Sequence, residues 1–125
     1  MTFKVVLPIL GFENIKEYDL KKINENFYTL KHNDVTFTLI NPFLIRSDYD
    51  FEISEPDQKK LQIDKNSNFL VLNTMIVNKP FIESTVNFAA PLIFNMDKNT
   101  MGQIILEKQG YGLTEPLKNF ARNIL

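Results

Sequence analysis

The stretch from Phe37 to Ile53, FTLINPFLIRSDYDFEI, constrains the fold more than any other part of the chain. Leading into it, Val35, Phe37 and Leu39 alternate with Thr36 and Thr38. Successive side chains of a strand point to opposite faces, so this alternation reads as a β-strand. Asn41-Pro42 then ends the ladder, because proline has no N–H to donate and pushes the preceding residue out of the helical region. After Phe43-Leu44-Ile45 the chain runs Asp48-Tyr49-Asp50-Phe51-Glu52-Ile53, a strict period of two. Read as a strand, it puts three carboxylates on one face and Tyr49, Phe51 and Ile53 on the other. A buried aromatic face and an acidic outer face suit a basic partner.

The rest of the chain repeats this pattern of short strands between turn signals. Phe3 to Leu7 reads as a strand closed by Pro8 and Gly11. Glu17 to Ile23 alternates weakly, and Phe27 to Lys31 leads through His32-Asn33-Asp34, a hairpin turn by its chemistry, into Val35 to Ile40. Ser54-Glu55-Pro56-Asp57 predicts a helix start, with Ser54 as N-cap and acids at the positive end of the dipole, for a short helix over about 55–62. Phe69 to Val77 is rich in β-branched and aliphatic residues. Glu83 to Leu106 reads as two strands joined at Met96 to Thr100, with Pro91 implying an edge, a bulge or a bend. From Pro116 to Leu125, Leu117, Phe120, Ala121 and Ile124 recur at helical spacing and predict a C-terminal helix, docked on the sheet or on a partner. The expected fold is all-β, a small single-domain antiparallel β-barrel-like structure over residues 1–125 with these two helices.

Eleven phenylalanines and four tyrosines in 125 residues, 44% of them hydrophobic, supply the core. A net charge of −1 gives no global attraction to nucleic acid or to an anionic membrane. There is no cysteine, hence no disulfide framework and no thiolate chemistry. The N-terminal MTFKVVLPILGFE does not read as a signal peptide, and no window approaches the ~20 apolar residues of a membrane span. A soluble cytoplasmic protein is expected.

Catalytic and metal chemistry find little support. The one histidine, His32, falls in a predicted turn and reads as an exposed turn residue, with no nucleophile placed beside it. A structural zinc site of the usual ligands cannot be assembled from one histidine and no cysteine. Asp48, Asp50 and Glu52 imitate the opening of a calcium loop, but Ile53 stands at the turn-glycine position and Lys59 at the closing glutamate. Asn95, Asp97 and Asn99 fail in the same way, with Thr100 and Leu106 at those positions. No glycine-rich phosphate loop exists, and no cofactor is expected. Lys21-Lys22 and Lys59-Lys60 are flanked by acids, so a basic nucleic-acid face is also missing. Around Arg46 lie Asp48, Asp50, Glu52, Glu55 and Asp57, which form either a solvated face or a partner site.

At these same residues the sequence resembles the flagellar assembly factor FliW family. The blocks that carry the resemblance are LPILGFE at Leu7 to Glu13, LINPFLIRSDYDFEI at Leu39 to Ile53, and STVNFAAPLIFNMDKNTMGQIIL at Ser84 to Leu106. The loop around Asn24-Glu25-Asn26 and the C-terminal tail depart from it. The resemblance implies a small, non-enzymatic β-barrel-like protein with two protein partners: flagellin and CsrA, an RNA-binding translational repressor. By analogy the protein sequesters CsrA and relieves repression of flagellin translation, until newly made flagellin captures it. The family motif maps onto Gly11, Phe12 and Glu13; Asn41, Pro42, Asp48, Tyr49 and Phe51; and Thr85, Asn87, Pro91, Asn95 and Gln103. Structural roles are expected for Gly11, Phe12, Pro42, Tyr49, Phe51 and Pro91. Partner contacts are expected at Asp48, Asp50 and Glu52, and at the polar positions Glu13, Asn41, Thr85, Asn87, Asn95 and Gln103, because complementary fields favour encounter with a basic protein. A monomer that binds no nucleic acid directly is expected. Two alternatives stay open: a small-ligand-binding or enzymatic barrel using Asn87, Asn95 and Gln103, and an RNA-binding barrel.

Overall fold

The computed structural model describes residues 1–123. Its strands are β1 (Thr2–Leu7), β2 (Glu17–Lys22), β3 (Phe27–His32), β4 (Val35–Ile40), β5 (Phe69–Ile76), β6 (Thr85–Val86), β7 (Leu92–Asn95), β8 (Thr100–Gln103) and β9 (Glu115–Pro116), and its helix α1 spans Glu55–Leu61. Following hydrogen-bonded neighbours gives a closed ring, β1-β2-β3-β4-β5-β7-β8 and back to β1. The β4–β5 pairing shuts it, with Leu39 opposite Thr74. Strands β6 and β9 extend the sheet outward beyond β5. Every pairing is antiparallel except β1 with β8, where Lys4 lies opposite Thr100 in parallel. The barrel is therefore mixed: the expected antiparallel pairing holds at every seam except β1–β8.

Turn chemistry accounts for the local connections. The β3–β4 hairpin pairs His32 with Val35 across a two-residue loop whose Asn33 has φ 49°, a left-handed conformation that asparagine tolerates. In α1, Ser54 Oγ accepts from the Asp57 N–H, and Gln62 closes the helix in the left-handed region. Strands β6 and β7 follow one edge of β5, interrupted by the segment from Asn87 to Pro91. Asn87 Oδ1 accepts from Ala90 N–H there, so the bend expected from Pro91 is present.

Side-chain alternation sorts the interior into two layers. Phe3, Tyr18, Leu20, Leu30, Leu39, Leu72, Leu92, Phe94 and Met101 come from all seven ring strands and fill the barrel. Their sequence neighbours Ile40, Val71 and Ile93 point the other way, into a second cluster with Ile45, Tyr49, Leu61, Phe88 and Leu117. That outer layer is covered by the connection between β4 and β5 and by the chain after β8. Strand β7, Leu-Ile-Phe-Asn, is buried on both sides and so shows no alternation of polarity.

Two expected elements take another form. Asp48 to Ile53 joins no ladder. Its alternation still sorts the side chains, with Tyr49 buried, Phe51 and Ile53 half-buried, and Asp48, Asp50 and Glu52 exposed. The C-terminal segment Leu117–Asn123 winds as 3-10 helix. Leu117 is fully buried and Phe120 packs edge-on against Phe88, so this segment docks on the sheet; Ile124 lies outside the described residues.

Candidate partner-binding face

The connection between β4 and β5 is pinned from its start. Asn41 Oδ1 accepts from Phe43 N–H and caps the 3-10 turn Pro42–Leu44, in which Pro42 is buried. Ile45 turns into the outer core, and Tyr49 follows it. The Tyr49 hydroxyl donates to the Phe88 carbonyl at 2.6 Å and accepts from Asn73 Nδ2 at 3.0 Å. Burial pushes this phenol well above the usual tyrosine range, so it stays protonated and keeps donating. One hydroxyl, that of Tyr111, accepts from Asp50 N–H at 3.1 Å and donates to Asp50 C=O at 3.2 Å. The backbone is thus held by aromatic hydroxyls rather than by a neighbouring strand.

Arg46 sits at the centre of this anchoring. Its guanidinium lies 4.8 Å from the Phe88 ring centroid and 5.0 Å from those of Tyr111 and Phe120. It donates to Glu115 Oε1 at 2.9 Å, while Glu115 Oε2 accepts from Gly112 N–H at 2.7 Å. Asp48 stands 3.9 Å from Arg46, beyond hydrogen-bonding reach, with its side chain 83% exposed. Among the described residues, neither Asp50 nor Glu52 forms an ion pair. The result is a set of exposed carboxylates on a well-held backbone, of which only Asp48 has an ion-pair partner, and that a distant one.

Beside this row opens a cleft of about 350 Å³ lined by Phe43, Phe51, Ile53, Phe69 and Val71, with Asp50, Asp64 and Lys65 at its margin. Phe43 and Phe69 are 44% and 42% exposed, so their rings present apolar surface at the cleft. Glu52 faces a different depression, toward Ile104 and Leu106.

The remaining expected contact residues are scattered and mostly occupied. Asn95 is fully buried. Its Nδ2 donates to the Leu61 and Gln62 carbonyls, and its Oδ1 accepts from Asp97 and Lys98 N–H. All its hydrogen-bonding capacity thus serves the end of α1 and the β7–β8 turn, and no part of it reaches the surface. Gln103 Oε1 accepts from Leu10 N–H, at the far end of the hairpin from Asn95. Glu13 accepts from Gly11 N–H, which lowers its pKa and closes the turn where Gly11 adopts φ 89°. Thr85 and Asn87 line a depression of about 100 Å³ with Leu113. Asn87, Asn95 and Gln103 therefore do not converge on one pocket, and among the described residues no cluster of His, Asp or Glu is placed to hold a metal.

Of the residues given structural roles, Phe12 packs edge-on against Phe37, and Pro91 is buried with its carbonyl accepting from Ile104 N–H. The sequence reading left out Phe43, Phe69, Tyr111 and Glu115. Arg46, the lone cation among five acids, was the one local signal; nothing near Glu115 in sequence announces its partner.

No described helix is long and apolar enough to cross a membrane. The family model for the FliW protein matches residues 1–117. A flagellar assembly factor FliW 2 of Wolinella succinogenes is 48% identical over 126 aligned residues, covering 96% of this chain and 92% of that protein. Flagellar assembly factor FliW of Sulfurimonas denitrificans is 44% identical, covering 98% of this chain and 99% of that one. A crystal structure of the flagellar assembly factor FliW superposes with a TM-score of 0.86 at 25% identity, covering 93% of this chain and 84% of that one. The chain belongs to the FliW family of flagellar assembly factors, a non-enzymatic family.

Proposed function

We propose that this flagellar assembly factor acts as a cytoplasmic monomer that binds and antagonises the translational regulator CsrA. It also binds flagellin, and so couples flagellin translation to flagellin level. The observation that carries this reading is the exposed row Asp48, Asp50 and Glu52, in which Asp48 has only a long contact to Arg46 at 3.9 Å and Asp50 and Glu52 form no ion pair among the described residues. An RNA-binding repressor presents a basic surface, and opposite fields on two partners steer their encounter. Direct RNA binding is not part of this function, because Lys and Arg number 14 against 15 acids and are interspersed with them.

The test is a competition. Labelled CsrA bound to the protein is titrated with flagellin, and the CsrA affinity is followed to saturation. Overlapping patches give complete displacement, with apparent affinity falling in proportion to flagellin concentration. Separate, coupled patches give a plateau instead. No binding of CsrA at low salt would overturn the reading altogether.

A further inference from the structure

The segment from Asp50 to Ile53 has the alternation of a strand and lacks a strand's partner. The Tyr111 hydroxyl reaches both the N–H and the C=O of Asp50, so these two groups point the same way, as they do in extended backbone. The corresponding groups of Phe51 then point to the opposite edge. Neither the N–H nor the C=O of Phe51 has a hydrogen-bond partner among the described residues, and the Ile53 N–H has none either. The C=O of Ile53 is the last group to be satisfied internally, by Gln58 Nε2 at 2.7 Å.

We propose that Phe51–Ile53 is an open strand edge that takes an extended segment of a partner protein by β-strand addition. The segment carries apolar side chains at alternate positions and lysine or arginine between them. Two features fix that chemistry. An added strand continues the pleat of its neighbour, so alternate side chains fall on the same side as Phe51 and Ile53, over the cleft with the exposed rings of Phe43 and Phe69. The intervening side chains meet Asp50, at the cleft margin, and Glu52, which faces the depression toward Ile104 and Leu106; neither carboxylate forms an ion pair among the described residues. Lys65 is the one basic group at the cleft margin, and the Asp64 carboxylate beside it is already used by the Asn66 N–H. A second copy of the same edge would set carboxylates against carboxylates, and nucleic acid would set phosphates against them. A basic-apolar peptide satisfies backbone, cleft and charge together.

The proposal rests on reading this face as a partner surface, and it adds the mode of engagement. Its test uses a fluorescein-labelled heptapeptide of alternating lysine and valine, followed by fluorescence anisotropy with the intact protein. Controls are the same peptide N-methylated at its central valine and a peptide of the same composition with the valines grouped. The alternating peptide is expected to bind saturably and to slow hydrogen exchange at the Phe51 and Ile53 amides. N-methylation should weaken binding by about tenfold, the scale of a lost backbone hydrogen bond with its desolvated partner. Phe69→Ser, which alters an exposed ring, should also weaken it, and Phe51→Pro should abolish amide pairing if circular dichroism shows it folded.

Equal binding of the methylated, grouped and alternating peptides would mean charge attraction alone and would overturn strand addition, as would no binding at all. Peptide failure with CsrA binding intact leaves the proposed function standing. Peptide binding without CsrA binding leaves strand addition standing and removes the proposed partner.

Discussion

Arg46 and Glu115 lie 69 positions apart in sequence and meet at 2.9 Å, the guanidinium stacked among three aromatic rings. The pair ties the connection after β4 to the chain after β8, and both side chains are mostly shielded, at 18% and 24% exposure. Arg46→Ala removes the stacking and leaves Glu115 partly buried without its cation. We expect a loss of about 2–4 kcal/mol, read from urea unfolding. Arg46→Lys should recover only part of it, because an ammonium lacks the planar fork and stacks poorly. A variant as stable as the parent would show that the stacked pair contributes nothing.

Asn95 gives a second measurement. It satisfies two carbonyls at the end of α1, where intrahelical partners have run out, and two amides of the following turn. Asn95→Ala should cost about 2–4 kcal/mol, visible as a lowered denaturant midpoint at unchanged slope. CsrA affinity, measured where both proteins are folded, should stay the same. A selective loss of affinity at unchanged stability would return Asn95 to the contact residues.

The acidic row makes the opposite prediction. Asp48→Lys with Asp50→Lys should leave stability within roughly 0.5 kcal/mol per site, since both side chains are exposed. Association with CsrA should slow, most strongly at low salt where screening is weakest. Unchanged association rates at low ionic strength would place the site elsewhere.

Alkaline stability follows from two tyrosines. Burial raises the pKa of Tyr49 and of Tyr18 above that of an ordinary tyrosine. The folded state therefore holds these protons more tightly than the unfolded chain does. Their contribution is fully present below pH ~10 and falls as pH rises above it, because only the unfolded chain then gains by ionising. Unfolding free energy measured from pH 8 to 11.5 should stay level and then drop. Tyr49→Phe should flatten the drop while lowering stability at pH 8, since the Phe88 carbonyl loses its buried donor.

What could be read from the chain itself divides by range. The cap at Ser54 and the hairpin at Asn33 are local chemistry, and both were legible. The alternation at Asp48 to Ile53 correctly separated buried from exposed side chains, but a period of two reports faces and says nothing about whether another strand lies alongside. At the C-terminus, Leu117 and Phe120 are three apart and share a face in either helix type, so their spacing could not distinguish α from 3-10. The parallel β1–β8 seam has no local signature at all. Its one trace is Gly102, where an added Cβ would meet Leu7 Cβ at 2.4 Å. Family resemblance located Asn95 and Gln103 without saying that their amides serve the fold.

That seam also sets a clock. Lys4 finds its partner only at Thr100, so the barrel cannot shut until most of the chain exists. At 5–20 residues per second, synthesis of the intervening stretch takes roughly 5–20 s, and contacts of such long range close slowly thereafter. During that interval the free edge of β1 is an unpaired template for other strands. No molecule of this protein therefore presents a closed barrel to a partner until its chain is nearly complete, so its action lags the start of its own translation by several seconds.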